Sequence, residues 1–255
     1  MARDFDGAND HIDFVASTTI ENATVLAFSG WVYQDNITQD HSIFDFTAVG
    51  VGVQLYFDDV GSSSGRTDTF KVTIDDTGAG SGGGEWSTGA GKQNSWQHIF
   101  LGIECGSATG CQFWVNGVED ALSPISLATV ADVGNSTTTI RFGESQGATR
   151  DRNGKLAELA FWTRIPTDDE IKALAKGFSP LHFPTGLKFY APLLGQASPE
   201  PDLMLGNQGT VTGAVAFAHP RMIYPSSIDM RRFAAAAGGG TSLKDLIGGF
   251  IPFAR

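Results

Sequence analysis

The acidic side chains, 28 in all, are the first place to look for chemistry, because most glycosidases need two carboxyl groups facing one cleft. The spacing does not supply such a pair. Asp75-Asp76 and Glu119-Asp120 are adjacent, and adjacent residues on a strand point to opposite faces. Glu158 is followed by Leu159, Ala160, Phe161 and Trp162, so no second carboxylate follows it along its run. The G-x-S-x-G pattern of a nucleophile elbow is also missing. These observations point away from an enzyme. A sugar-binding surface needs an exposed aromatic beside polar groups, and Trp86, next to Glu85 and Ser87 in a glycine-rich stretch, is the best single candidate. The competing reading is a Trp that tucks its own loop onto the body. Asn22, Asn36 and Asn135 open N-x-[ST] triplets, which are chance matches in a chain without a secretory route.

Cys105 and Cys111 flank the loop GSATG between two apolar alternating runs. A bridge between them is geometrically open, but a cytoplasmic setting favours two free thiols. No His-Cys cluster accompanies them, so they make no zinc site.

Around these residues the chain must supply a scaffold, and its composition says which kind. Of 255 residues, 32 are glycine and 18 phenylalanine, 41% are hydrophobic and only 18% charged. That balance suits many tight turns joining apolar strands and disfavours a helical bundle. The formal charge of -11, with cations scattered singly or in pairs such as Arg231-Arg232, argues against nucleic acid as a partner. No apolar stretch is long enough to span a bilayer, and the opening MARDFDGANDHIDF does not read as a secretory signal. The expected location is the cytoplasm, until something other than secretion releases the protein.

From residue 5 to 162, β-rich runs alternate with Gly, Asn, Asp or Ser clusters about every eight to fifteen residues, the pattern of an antiparallel sandwich. Strands are expected at His11–Val15, Ala23–Tyr33, Ser42–Thr47, Gly52–Phe57, Phe70–Asp75, Gln97–Glu104, Cys111–Val115, Thr138–Phe142 and Leu156–Thr163. Within the second run, Phe28, Gly30 and Val32 face one way and Ser29, Trp31 and Tyr33 the other. Residues 77–91 read as a long glycine-rich loop. One helix is expected in IPTDDEIKALAKG, with Thr167 as N-cap, Glu170 as its capping-box partner and Gly177 as terminator. Ile171, Leu174 and Ala175 form its apolar face.

Beyond the helix, strands are expected at Leu187–Leu193 and near Gly209–Phe217. After His219-Pro220 the pattern dissolves into a Gly/Ala run, a hinge, and then LKDLIGGFIPFAR. Leu243, Leu246, Ile247, Phe250, Ile251 and Phe253 are too apolar for a solvated tail and too few to fold alone. They read as a partner-docking peptide, against the plainer alternative of a frayed terminus.

The order FDGANDHIDF, TVLAFSGWVY, WQHIFLGIE, CQFWVNG, IRFGES, GKLAELAFWTRIPTDDEIKAL resembles laminin G-like and pentraxin-like domains of the concanavalin A-like lectin/glucanase superfamily, over about residues 5–176. The resemblance implies an all-β jelly-roll sandwich with one short helix, in which Trp31, Trp96 and Phe161 are core aromatics. The E-x-D-x-x-E arrangement of glucanases on this fold is missing. Pentraxin-like relatives hold calcium with the loop after the IRFG-like strand, which here is ESQGATRDRNG. By that resemblance Glu144, Gln146, Asp151 and Asn153 are candidate calcium ligands; otherwise Arg150 and Arg152 pair with the acids of a surface loop. No other cofactor is implied.

Many such domains carry a strand resembling GLVAYYPFDG before FDG, whereas here the similar segment, GLKFYAPLLGQASPEPDLMLGNQGTVTGA, lies at 186–214. The sheets are therefore expected to be closed from the C-terminal side, as in a circular permutation. One domain then covers residues 1–220, with closing strands at 186–217, and 221–255 form an extended linker with an apolar anchoring peptide. The layout resembles that of bacteriophage structural proteins and implies a non-enzymatic virion subunit, on capsid or tail. Its expected partners are other virion proteins and its own copies, with host-surface polysaccharide as a further partner and no membrane insertion. The alternative is a free carbohydrate-binding module.

Overall fold

The computed structural model describes residues 2–15, 20–47, 51–58, 69–75, 81–86, 92–107, 110–120, 127, 130–134, 139–195 and 198–226. The apolar residues 243–253 lie outside them. The strands are β1 (Ala2–Asp6), β2 (His11–Phe14), β3 (Val25–Gln34), β4 (His41–Asp45), β5 (Gly52–Asp58), β6 (Thr69–Asp75), β7 (Ser81–Trp86) and β8 (Trp96–Glu104). They continue as β9 (Cys111–Val115), β10 (Val118–Asp120), β11 (Ile140–Phe142), β12 (Asn153–Trp162), β13 (Leu187–Ala191), β14 (Glu200–Pro201), β15 (Gln208–Thr212) and β16 (Val215–Phe217), with one helix, α1 (Asp168–Ala175).

They form two antiparallel sheets. The first runs β10-β9-β8-β3-β12-β1-β16, with β13 also paired to β12, and the second β14-β15-β2-β11-β4-β5-β6-β7. This is the all-β sandwich with one short helix that the sequence predicts. Alternation dictates which faces meet. Phe28 and Val32 of β3 are buried between the sheets, where phenylalanines from both layers interlock. Phe28 meets Phe44 with ring centroids 4.7 Å apart, and Phe14 meets Phe189 edge-on at 5.0 Å, geometries that aromatic quadrupoles favour.

A second apolar layer lies on the outer face of the first sheet. Ala27, Phe100, Trp114, Ala160, Trp162 and Tyr190 are covered there by Ile171 and Leu174 of α1 and by Leu181. The helix starts as the sequence dictates: Thr167 Oγ1 accepts from Glu170 N at 3.4 Å, and Thr167 N donates to the Glu170 carboxylate at 2.7 Å. Gly177 follows the helix at φ +91°, where a Cβ would lie 2.6 Å from the Arg221 carbonyl.

The C-terminal strands close both sheets, β13 on β12, β15 on β2 and β16 on β1. The single strand expected near 209–217 is two strands in different sheets. Gly213, at φ +72°, turns the chain from one layer to the other. Arg3 anchors this closure from the N-terminal side, pairing with Glu200 at 2.6 Å and donating to the Ala214 carbonyl at 2.9 Å.

Three expectations need correction. Residues 81–86 form a strand paired with β6, because an edge ladder needs backbone hydrogen bonds rather than side chains. Trp31 and Trp96 are not core residues like Phe161. Their alternation puts them on the outer face of the first sheet, half-buried, with Trp31 edge-on to His98 and Trp96 to Tyr33. Finally, Arg152 pairs with no acid among the described residues; Arg150 does, with Asp40 at 3.2 Å.

Candidate functional site

Three connections meet at one rim of the sandwich: the β1–β2 turn, the β3–β4 segment and the loop between β11 and β12. Each is shaped by its own polar side chains. Asp6 Oδ1 accepts from Ala8 N at 2.9 Å in the turn around Gly7, which has φ +87°. Asn36 Oδ1 accepts from Thr38 N and from Thr38 Oγ1, both at 2.8 Å. Ser145 Oγ accepts from Thr149 N at 3.0 Å and Arg150 N at 3.2 Å, closing the third loop on itself. Such Asx and Ser turns follow directly from residue type.

Buried groups fix the loops relative to one another. His41 Nδ1 lies 2.9 Å from the Asp151 carbonyl and 3.2 Å from Asn153 N, and its Nε2 lies 3.0 Å from the Asn36 carbonyl, so the ring ties the second loop to the third. Burial pushes the His41 imidazole below its usual range, which favours the neutral ring. Arg150 reaches across to Asp40 and lies 4.1 Å from the centre of the Tyr56 ring, a cation–π contact.

Between the loops lies a cavity of about 430 Å³ lined by Gly7, Thr38, Gln39, Asp40, Thr149 and Asp151. Apart from glycine, every lining residue presents hydroxyl, amide or carboxylate. The Asp151 Oδ1 atom is enclosed and takes no hydrogen bond from the protein. This lining suits a polyhydroxylated ligand, whose hydroxyls both donate and accept.

The expected calcium ligands are divided by the fold. Asp151 lines the cavity, and Asn153 packs beside Gly7. Glu144 instead accepts from Arg141 Nη1 at 2.8 Å and lies 3.1 Å from His11 Nδ1. Gln146 donates its amide to the carbonyls of Thr139 and Asp45. Among the described residues no three His, Cys, Asp or Glu side chains gather at metal-binding spacing. Trp86 and Glu85 lie on β7, in register with Phe70 and Lys71. No disulfide joins Cys105 and Cys111, and burial pushes the Cys111 thiol up to about 12.

One arrangement of catalytic type occurs on the opposite side of the first sheet from the core. Ser29 Oγ lies 2.8 Å from His98 Nε2. Both residues are buried, burial pushes His98 down to about 3, and its Nδ1 has no partner. A hydrolytic pair needs access and an orienting third group, and these two have neither, so the contact is structural.

The sandwich, the interlocked phenylalanines and the polar rim define a lectin-like binding fold. Residues 6–172 match the family model for the concanavalin A-like lectin/glucanases superfamily, and the chain belongs to that superfamily. No curated protein matches it. Among solved structures, a candidate carbohydrate binding protein from Bacteroides ovatus shares 18% identity at a TM-score of 0.61, over 86% of this chain and 60% of that one. This chain thus spans less than two thirds of that relative's length. The binding domain of Paraclostridial Mosquitocidal Protein 1 shares 15% identity at a TM-score of 0.51, over 68% of this chain and 42% of that one. Likeness at these identities concerns the fold.

Proposed function

We propose that this chain is a non-catalytic glycan-recognition module whose ligand enters the rim cavity. The observation that carries the reading is the all-polar lining, from Thr38, Gln39, Asp40, Thr149 and Asp151, on a lectin-like sandwich. The Asp40 carboxylate held by Arg150 and the Thr149 backbone fixed by the Ser145 turn offer sugar hydroxyls partly preorganised partners, which lowers the ordering cost of binding. The test is a glycan array with the full chain, followed by titration of any hit into Asp151→Ala, Thr38→Ala and Trp86→Ala. Loss of binding at Asp151 and Thr38 supports the rim cavity. Loss at Trp86 alone moves the site to β7, and an array without hits overturns the reading. Repeating the titration with millimolar calcium tests the ion: an unchanged affinity and melting temperature remove it.

A second reading places this module on a bacteriophage particle, anchored by Leu243, Leu246, Ile247, Phe250, Ile251 and Phe253. Its support is the apolar composition of that segment after a Gly/Ala run, which offers six large side chains for burial against a partner subunit. Deletion of residues 238–255 should abolish incorporation into particles while leaving the sandwich folded. A truncated protein that still assembles refutes the anchor.

A further inference from the structure

Beside the rim, the outer face of the first sheet carries aromatic rings that nothing described covers. Strand register sets a row of side chains there: Val215 stands opposite Asp4, Asp4 opposite Lys155, Lys155 opposite Tyr33 and Tyr33 opposite Trp96. Val32 is in the inter-sheet core, so Tyr33 beside it, and the row with it, points outward. Phe217 lies two residues from Val215 on the same face, its ring 6.1 Å from that of Tyr33, and the Trp96 ring is 5.6 Å from Tyr33. Further along β12 the face is occupied, by His219 and Tyr224 at Glu158 and by α1 over Ala160 and Trp162. Tyr33, Trp96 and Phe217 are only half-buried, and Val215 is 61% exposed.

The rings are held in place by a cation. Lys155 Nζ lies 4.8 Å from the centre of the Tyr33 ring and 4.6 Å from that of Phe217, and it is paired with Asp4 at 3.3 Å and with Asp35. The two acid side chains stay 27% and 30% exposed, which leaves oxygen lone pairs for a donor from outside. A protein partner packed on this row would have to desolvate two carboxylates, which interface cores avoid. A pyranose ring would not: its C–H face lies against the negative face of an aromatic ring, while its hydroxyls donate to the carboxylates.

The row also runs into the rim cavity. Asn153 precedes Lys155 by two residues on β12 and faces the same way, about 7 Å from it. A Cβ on Gly7, which lines the cavity, would lie 3.2 Å from the Asn153 side chain.

We propose that Tyr33 and Trp96 form a second sugar subsite, and that the ligand is an oligosaccharide which enters the cavity, crosses Asn153 and stacks its further units on these rings. The inference rests on the glycan reading of the cavity. Joining two subsites through one ligand makes the second contact intramolecular and raises affinity with chain length.

The test is an array of mono- to hexasaccharides of glucose, galactose, mannose and N-acetylglucosamine probed with the full chain, then calorimetric titration of each series that binds. Affinity should rise about tenfold or more from mono- to hexasaccharide, and Trp96→Ala or Tyr33→Ala should abolish that rise. Trp96→Phe keeps a ring and should retain most of it. Should Trp96→Ala fail to fold, the unaltered chain decides: bound hexasaccharide should shield Trp96 from oxidation by N-bromosuccinimide, located by peptide mass spectrometry, and an unshielded Trp96 overturns the subsite. Binding that is lost in Asp151→Ala, with the chain-length gain intact in Trp96→Ala, overturns the subsite and leaves the cavity reading standing. Binding that needs Trp96 but not Asp151 supports the subsite and overturns the cavity reading. An array without hits, or a dimer of the chain that Trp96→Ala dissociates, overturns the subsite.

Discussion

The Tyr224 hydroxyl donates to Glu158 Oε1 at 2.8 Å, joining residues 66 positions apart. Tyr190 donates to the other oxygen of the same carboxylate at 2.6 Å, and His219 Nε2 lies 3.0 Å from the first. Glu158 is fully buried at φ +58°, where the β12–β3 register shifts. A strained bulge thus aims one carboxylate at the segment leaving β16, which also forms a bridge between Ile223 and Phe178. The contact is a clip that holds residues 219–224 on the outer face of the first sheet.

Tyr224→Phe removes one hydrogen bond to a charged acceptor and should cost about 1.5 kcal/mol. Glu158→Ala strands the buried Tyr190 hydroxyl as well and should cost about 3 kcal/mol. Urea unfolding with matched m-values measures both. Equal stability of Tyr224→Phe and the unaltered chain would mean that the strap contributes nothing.

Glycines with positive φ separate by what surrounds them. A Cβ on Gly143 (φ +92°) would lie 2.3 Å from the buried ring of Phe5, whereas on Gly206 (φ +71°) it would meet nothing within 4 Å. Gly206→Ala should therefore cost only the left-handed backbone penalty, roughly 1–2 kcal/mol. Gly143→Ala should add overpacking and fall well below it in melting temperature. Similar melting temperatures for the two variants would contradict the packing around Phe5.

Much of this fold was legible because its cause is local. Alternation in β3 and the capping box at Thr167 and Glu170 are written in neighbouring residues, and the closing strands were legible through their resemblance to an N-terminal segment. Strand β7 escaped because glycines carry no alternation. Trp31 and Trp96 were expected inside because aromatic character says nothing about parity, although the alternation that set Trp31 against Phe28 already placed it outside. The rim cavity was largely illegible. Gly7, Asp40 and Thr149 belong to three connections that only the strand order brings together, and Asp151 alone was singled out beforehand. Arg152 looked in sequence like an ion-pair partner for acids, and only the fold shows it buried and bonded to the carbonyls of Tyr33 and Lys155.

Burial of His98 makes the protein acid-labile. Its folded value, about 3, lies below the ordinary 6.5, so the unfolded chain binds the extra proton between those limits. The associated stability is complete above pH 6.5 and is lost as pH falls toward 3, to as much as about 5 kcal/mol. His98→Gln keeps a partner for Ser29 and cannot titrate. Its melting temperature should fall less steeply from pH 6.5 to 4 than that of the unaltered chain. Parallel profiles would show that His98 is not the group responsible.

Asp202 acts in the opposite sense. Its Oδ1 accepts from Tyr190 N at 3.1 Å and Met204 N at 3.0 Å, while the buried Oδ2 has no partner. Desolvation outweighs those hydrogen bonds and raises its carboxyl from 3.8 to about 6. Between these limits the folded chain holds the proton more tightly, so the penalty is absent below pH 3.8 and grows as pH rises through 6, to on the order of 3 kcal/mol. Asp202→Asn preserves an oxygen for the two backbone N–H groups and removes the charge. The variant should gain stability relative to the unaltered chain as pH rises from 4 to 7, in the same window where His98 makes both proteins more stable. Because His98 is common to both, subtracting one urea-unfolding profile from the other isolates Asp202. A difference that stays constant with pH would show that the carboxyl is not held protonated by burial.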